Sequence, residues 1–242
     1  MKEKERIAPN PLILLDTLSY KGLSTQCPSF QQRGRGGKDT SVVFQKISDK
    51  YPLILGSKSP RRRALLEQIR LPYQVSPGNL EERGTAQDPT DATLLLAREK
   101  AKDAAKQRPN MWILGADTVV FVDSRILGKP ENAGQARKML EMLSGKDHQV
   151  VTGFCLINPK GEVAHQEAVT TQVRFKELTT EEIGSYINTG EPFGKAGSYA
   201  IQGIGAFMVE SISGSYTNVV GLPLCALVKA LIEAGALDSF PL

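Results

Sequence analysis

The stretch Pro52-Leu53-Ile54-Leu55-Gly56-Ser57-Lys58-Ser59-Pro60-Arg61-Arg62-Arg63-Ala64-Leu65-Leu66 decides the fold. Three apolar residues closed off by Gly56 are too few for a helix and read as a short buried strand. Ser59 before Pro60 marks a helix start: the serine oxygen accepts a free amide, and proline at the first helical position gives up no hydrogen bond. A helix is expected from 60 to about 70, with Leu65, Leu66 and Ile69 facing inward.

Strand, tight loop and helix continue along the chain. A helix is expected over about 90–107. Apolar strands follow at 111–114 and 119–122, on either side of Gly115-Ala116-Asp117-Thr118. Residues 132–143 fit another helix and 149–157 a strand. Residues 167–175 put Val169, Thr171, Val173 and Phe175 on one side, the period of a half-exposed strand. Thr179 with Glu182 forms a capping box for a short helix, Gly-rich strands or turns fill 197–221, and a last helix spans 223–234. Strands and helices interleave without a repeat, so the class is α/β.

The balance of charge limits what such a domain binds. Residues 1–50 hold nine Lys/Arg against five Asp/Glu, which leaves 21 against 21 in the remaining chain. An evenly charged body argues against a grip on a nucleic-acid polymer, yet leaves room for a local basic pocket. Residues 1–50, with Pro9, Pro11, Pro28 and the run Arg33-Gly34-Arg35-Gly36-Gly37-Lys38, show no sustained period and read as a disordered extension before one domain over 51–242. Cys27, Cys155 and Cys225 are widely spaced and odd in number, and His148 and His165 are the only histidines. Neither a disulfide framework nor a zinc centre is expected. No apolar run reaches the roughly 20 residues of a membrane span, so a cytoplasmic protein is expected.

Three segments could carry chemistry. Ser57, Ser59, Arg61 and Arg62, at the point where a strand hands over to a helix, offer amides, hydroxyls and guanidinium forks to a polyphosphate. A helix start with a solvated basic face would look the same. Asp117 stands between apolar runs, where a lone carboxylate needs a metal, a basic partner or a catalytic role. Glu81 and Glu82 could add a second carboxylate, and Lys100 and Lys129 further cations, although a Glu pair in a loop is ordinarily just solvated. The Gly-dense run from Gly190 to Gly203 lets backbone approach a ligand, with Gln202 able to read a base edge.

Taken together, Ser57-x-Ser59-Pro60-Arg61-Arg62, Glu82, Arg98-Glu99-Lys100-Ala101, Gly115-Ala116-Asp117-Thr118, Gly128-Lys129-Pro130, His148-x-Val150-x-Thr152-Gly153, Lys195-Ala196-Gly197-x-Tyr199-x-Ile201-Gln202-Gly203 and Asn218-Val219-Val220-Gly221-Leu222-Pro223 resemble the Maf family of nucleotide pyrophosphatases. The Lys195 to Gly203 run is similar to the branch that hydrolyses dTTP and UTP. The resemblance implies a mixed sheet with flanking helices, two lobes around a cleft as in inosine-triphosphate pyrophosphatases, and a homodimer. It implies Asp117 as proton acceptor, Arg61, Thr118 and Gln202 as the positions of substrate choice, and Ser57, Glu82, Lys100, Lys129 and Lys195 as further cleft residues. The charge of a triphosphate calls for a divalent cation, Mg²⁺ or Mn²⁺, with Glu82 and Asp117 as its expected holders. The family usually carries an acid where this chain has Gly194. The gap could slow turnover, change metal affinity or be made good by Glu191, and it leaves open a nucleotide-binding regulatory module with weak or lost hydrolysis.

Overall fold

The computed structural model describes residues 44–78 and 87–242. Residues 1–43 of the expected extension, and Glu81 and Glu82, lie outside the described residues. Residues 44–50, expected in the extension, pack on the body: Ile47 is buried, Phe44 sets its edge on Trp112, and Trp112 Nε1 donates to the Gln45 carbonyl at 3.1 Å.

A seven-stranded mixed sheet forms the centre. β1 (Leu53–Leu55) lies parallel to both β2 (Tyr73–Val75) and β3 (Ile113–Val122), and β4 (Arg125–Leu127) folds back along the end of β3. β5 (Asp147–Ile157), β6 (Val163–Phe175) and β7 (Val209–Ser213) extend the sheet in antiparallel steps, giving the order β2-β1-β3-β5-β6-β7. The strands expected at 111–114 and 119–122 are one strand. β5 pairs with β3 without a break from Ile113 to Phe121, so the Gly-Ala-Asp-Thr segment is held extended instead of turning. Asp117 is therefore a mid-strand residue.

One edge of β3 belongs to β5. The other edge is shared: β1 pairs with Ile113 and Leu114, and β4 pairs with residues 120–122. Among the described residues, 115–119 between them have no strand partner on that side. This gap at the end of β1 is where the sheet opens, the place at which α/β sheets commonly admit ligands.

Alternation along β3 then divides the molecule. Leu114, Ala116, Val120 and Val122 face one side. Ala116 joins a core with Leu65 and Leu66 of α1 (Pro60–Gln68) and Leu227 and Leu231 of α6 (Leu224–Glu233). Val120 and Val122 join a second core with Leu140 of α3 (Ala133–Leu143) and Ile183 and Tyr186 of α4 (Thr180–Asn188). Thr118 and its cross-strand neighbour Thr152 form the polar seam between these two lobes. The opposite face is covered by α2 (Pro89–Gln107), which buries Ala97, Ala101 and Ala104 on Ile113, Cys155 and Ile157. A short α5 (Tyr216–Val220) stands at the seam, tied to β5 and β6 by Asn218, whose Nδ2 donates to the Val150 carbonyl and to Thr171 Oγ1.

Candidate active site

The gap in the sheet opens into a cavity of about 410 Å³. Its walls bring together eight of the nine expected residues: Ser57, Arg61, Lys100, Asp117, Thr118, Lys129, Lys195 and Gln202. The ninth, Glu82, falls outside the described residues. Because β3 has a free edge here, residues from both of its faces reach the same space, Asp117 from the α2 side and Thr118 from the seam.

On the α2 side, Lys100 Nζ donates to Asp117 Oδ1 at 2.6 Å, and both side chains are largely buried. Glycines permit that contact. A Cβ at Gly115 would lie 2.1 Å from the Ala97 carbonyl oxygen, and one at Gly153 2.6 Å from the Thr93 carbonyl carbon. Without side chains at these points α2 sits directly on the strands and its Lys100 reaches across to the carboxylate. Asp117 Oδ2 takes no hydrogen bond from a described residue and remains able to accept a proton or bind a hard cation.

The rim is cationic. Lys58, Arg61, Arg62, Lys100, Lys129 and Lys195 line the cavity against Asp117, the single carboxylate among its described lining residues. Burial holds the Arg61 guanidinium below its ordinary pKa, with Tyr186 pulling the other way. Lys195 is lowered by burial and then by Arg61, against the opposing charge of Glu191. Two partly desolvated cations that repel each other gain from an anion placed beside both.

Arg62, expected to offer its fork to a polyphosphate, turns it to the protein itself. In a run of three arginines it looks solvated, yet it is 7% exposed. Its Nε donates to the Gly221 carbonyl at 2.7 Å, Nη1 to Ser57 Oγ at 3.0 Å and Nη2 to Thr118 Oγ1 at 3.0 Å. One fork thus pins the strand-to-helix loop, β3 and the end of α5 together. Only the helical phase, with Arg62 one turn ahead of the inward Leu65 and Leu66, could have signalled it. Gln202 sits exposed at the mouth of the cavity.

The segment after Lys195 lies against β3 because Gly197 has φ +66° and a Cβ there would lie 2.8 Å from Val120 Cγ2. It carries Tyr199 into the cavity wall, where the hydroxyl meets His148 Nε2 at 2.9 Å and the rings of His148, Phe175 and Tyr199 meet edge to face. Burial pushes the His148 imidazole down to about 4 from its ordinary 6.5, against weaker opposing pulls from the Lys146 backbone and Asp147. Above pH 6.5 the ring is neutral folded or unfolded; as pH falls from 6.5 toward 4, the unfolded chain takes a proton that the folded ring refuses. Stability is lost across that window, by about 3 kcal/mol at its lower end. Denaturation midpoints measured from about pH 7 to about pH 4 should fall less steeply in His148→Gln than in the unaltered protein, and equal slopes would refute this.

Gly194 lines the cavity at φ +74°, and a Cβ there would meet nothing within 4 Å. Glu191 does not stand in for the missing acid. Burial raises its pKa, but hydrogen bonds outweigh that and hold it low: the carboxylate accepts the Gly205 N–H, the Tyr186 hydroxyl and the Ile204 N–H, with Lys195 nearby. It is spent bracing the 203–208 turn.

The family described as Maf-like protein matches residues 52–234. The chain belongs to that family. A dTTP/UTP pyrophosphatase of Citrifermentans bemidjiense is 50% identical over 188 residues, 77% of this chain and 97% of that protein. Those of Ruminiclostridium cellulolyticum and Halalkalibacterium halodurans are 48% and 49% identical over 181 residues, 74% of this chain and 94% of each of those proteins. Among solved structures, a nucleoside-triphosphatase / dITP/XTP pyrophosphatase of Mycobacterium abscessus superposes with a TM-score of 0.35 at 16% identity, over 57% of this chain and 94% of that one. Among the described residues, no helix is long and apolar enough to cross a membrane.

Proposed function

We propose that this Maf-like chain is a nucleoside triphosphate pyrophosphatase that hydrolyses dTTP and UTP to the nucleoside monophosphate and pyrophosphate. The observation that carries the reading is Asp117, the one carboxylate among the described lining residues, facing six cationic side chains in a cavity at the edge of the sheet. The names of relatives about half identical along the whole domain support the substrate class.

In this reading Asp117 accepts the proton of a water that attacks the α-phosphorus, while the bond to the β-phosphate oxygen breaks and pyrophosphate leaves. Lys100 orients the carboxylate through its 2.6 Å contact with Oδ1. Arg61, Lys129 and Lys195 neutralise the phosphates and the charge that grows on the leaving group. Thr118 and Gln202 read the base, on the seam side, where Val120, Val150, Tyr199 and Ile201 give the cavity its apolar wall. Mg²⁺ or Mn²⁺ belongs to the same reading. Asp117 Oδ2 together with phosphate oxygens is the oxygen set such ions take, and the bound ion would lower the charge of the triphosphate. Glu82 is the second expected holder. A homodimer and a cytoplasmic location complete the proposal; light scattering of the purified protein tests the first, and fractionation of the source cells the second.

The test offers each common triphosphate in turn with Mg²⁺ and separates the products. The expected outcome is monophosphate plus pyrophosphate from dTTP and UTP, no orthophosphate, and loss of turnover on chelation. Preference for ATP or GTP, or release of orthophosphate, would contradict it. Gly194 favours a second reading, a regulatory module that binds nucleotide with little hydrolysis. Binding of dTTP or UTP without pyrophosphate release would establish that one.

A further inference from the structure

Thr118 and Thr152 face each other across β3 and β5 at the seam between the lobes. Thr152 has no exposed surface. A hydroxyl owns one hydrogen, and that of Thr152 goes to the Asn218 backbone carbonyl at 3.1 Å. The two threonine oxygens are 2.9 Å apart. In that contact Thr152 must accept and Thr118 must donate. The Thr118 oxygen also accepts from Arg62 Nη2 at 3.0 Å, and a guanidinium has no acceptor to offer in return. The hydrogen of Thr118 is thus directed inward, and what it presents to the cavity is a lone pair.

The backbone that sets this order is itself fixed. Asn218 is fully buried, its amide donates to the Val150 carbonyl at 3.0 Å and to Thr171 Oγ1 at 2.9 Å, and its own carbonyl also receives the Gly221 N–H at 2.9 Å.

We infer that Thr152, acting through Asn218, holds the Thr118 hydroxyl as an acceptor toward the cavity, so that the site reads the ring N3–H of uracil or thymine and disfavours a base with a lone pair at N3. The inference rests on the substrate class proposed above and makes Thr152 a positioning residue for base choice. For Thr118 to donate to cytosine N3, its hydrogen must leave Thr152, or Thr152 must abandon Asn218. Either move forfeits one buried hydrogen bond, and cytosine is disfavoured by that amount.

The experiment compares kcat/KM of the full chain for UTP, CTP and the triphosphate of the pyrimidin-2-one riboside, whose N3 is a bare acceptor with no amino group beside it. Kd values of the corresponding α,β-methylene analogues are measured in parallel, so that the inference is read even in the absence of turnover. The unaltered protein should favour the uracil compound over both others. Thr152→Val removes the acceptor for the Thr118 hydrogen and should narrow both ratios by about fivefold to tenfold, the worth of one hydrogen bond. Thr152→Ser, which keeps the hydroxyl, should retain the original ratios, and Thr118→Val should erase the uracil advantage. A mere packing defect would lower all three compounds together; unchanged ratios in Thr152→Val, or a uracil preference that survives Thr118→Val, would overturn the inference. Absence of pyrophosphate release from UTP by the unaltered protein, with the analogue Kd ratios as expected, would overturn the hydrolytic function and leave the base-reading device standing.

Discussion

Asp117→Asn is expected to lower kcat by about 10²-fold or more while nucleotide still binds, the scale on which a positioned general base contributes. Asn is nearly isosteric with Asp and keeps an oxygen for the Lys100 Nζ that now sits 2.6 Å away, so the buried contact and the position of α2 survive. What disappears is the basic oxygen. The same change removes a negative charge that repels the phosphates and, with it, an oxygen offered to the bound cation, two effects of opposite sign on binding. The discriminating pattern is therefore a large fall in kcat with a KM that changes far less. A purely structural role for Asp117 predicts weaker binding and a lower denaturation midpoint together. Full turnover by the Asn variant would remove Asp117 from the chemistry, and with it the proton-transfer step proposed here.

What the sequence disclosed depended on how local the determining physics was. The Ser59-Pro60 start and the Thr179 capping box need only neighbours, and both form as expected: Ser59 receives the Arg62 N–H, and Thr179 and Glu182 exchange hydrogen bonds. Strands β2 and β4, of three residues each, carry no pattern of their own and exist because β1 and β3 offer them an edge. The continuity of β3 through Gly115-Ala116-Asp117-Thr118 was hidden for the same reason, since β5, more than 30 residues away, supplies its register. Site residues divided along that line. Asp117 was legible because a charge between apolar runs is costly wherever it folds. Arg62 was read as a fork for phosphate, and Thr152 and Asn218 had no role, because an arginine in a basic run, a threonine in a strand and an asparagine in a turn gain their structural meaning only when α1, β5 and α5 converge on one seam.

Gly115→Ala should be as damaging as the loss of the carboxylate, although Gly115 touches no reacting atom. A Cβ there would lie 2.1 Å from the Ala97 carbonyl oxygen and 2.5 Å from the Ala101 nitrogen, both helix backbone that cannot turn aside as a side chain would. Either α2 lifts off the sheet or β3 bows, and overpacking of this kind costs about 1–3 kcal/mol of stability. The neighbours offer no slack, because Gly56 would meet the Lys100 carbonyl oxygen at 2.9 Å and Gly153 already brings Thr93 against β5. Lys100 rides on the same helix, one residue before Ala101, so the displacement passes directly into its contact with Asp117. A shift of roughly an ångström in such a pair is enough to lower kcat/KM by about 10²-fold. Urea titration and steady-state kinetics on one preparation measure both effects. Alanine at Gly128, where a Cβ meets nothing within 4 Å, should stay within about 0.5 kcal/mol of the unaltered stability. If Gly115→Ala left both the midpoint and kcat/KM in place, α2 would not be seated by the missing side chain, and the position of Lys100 would need another cause.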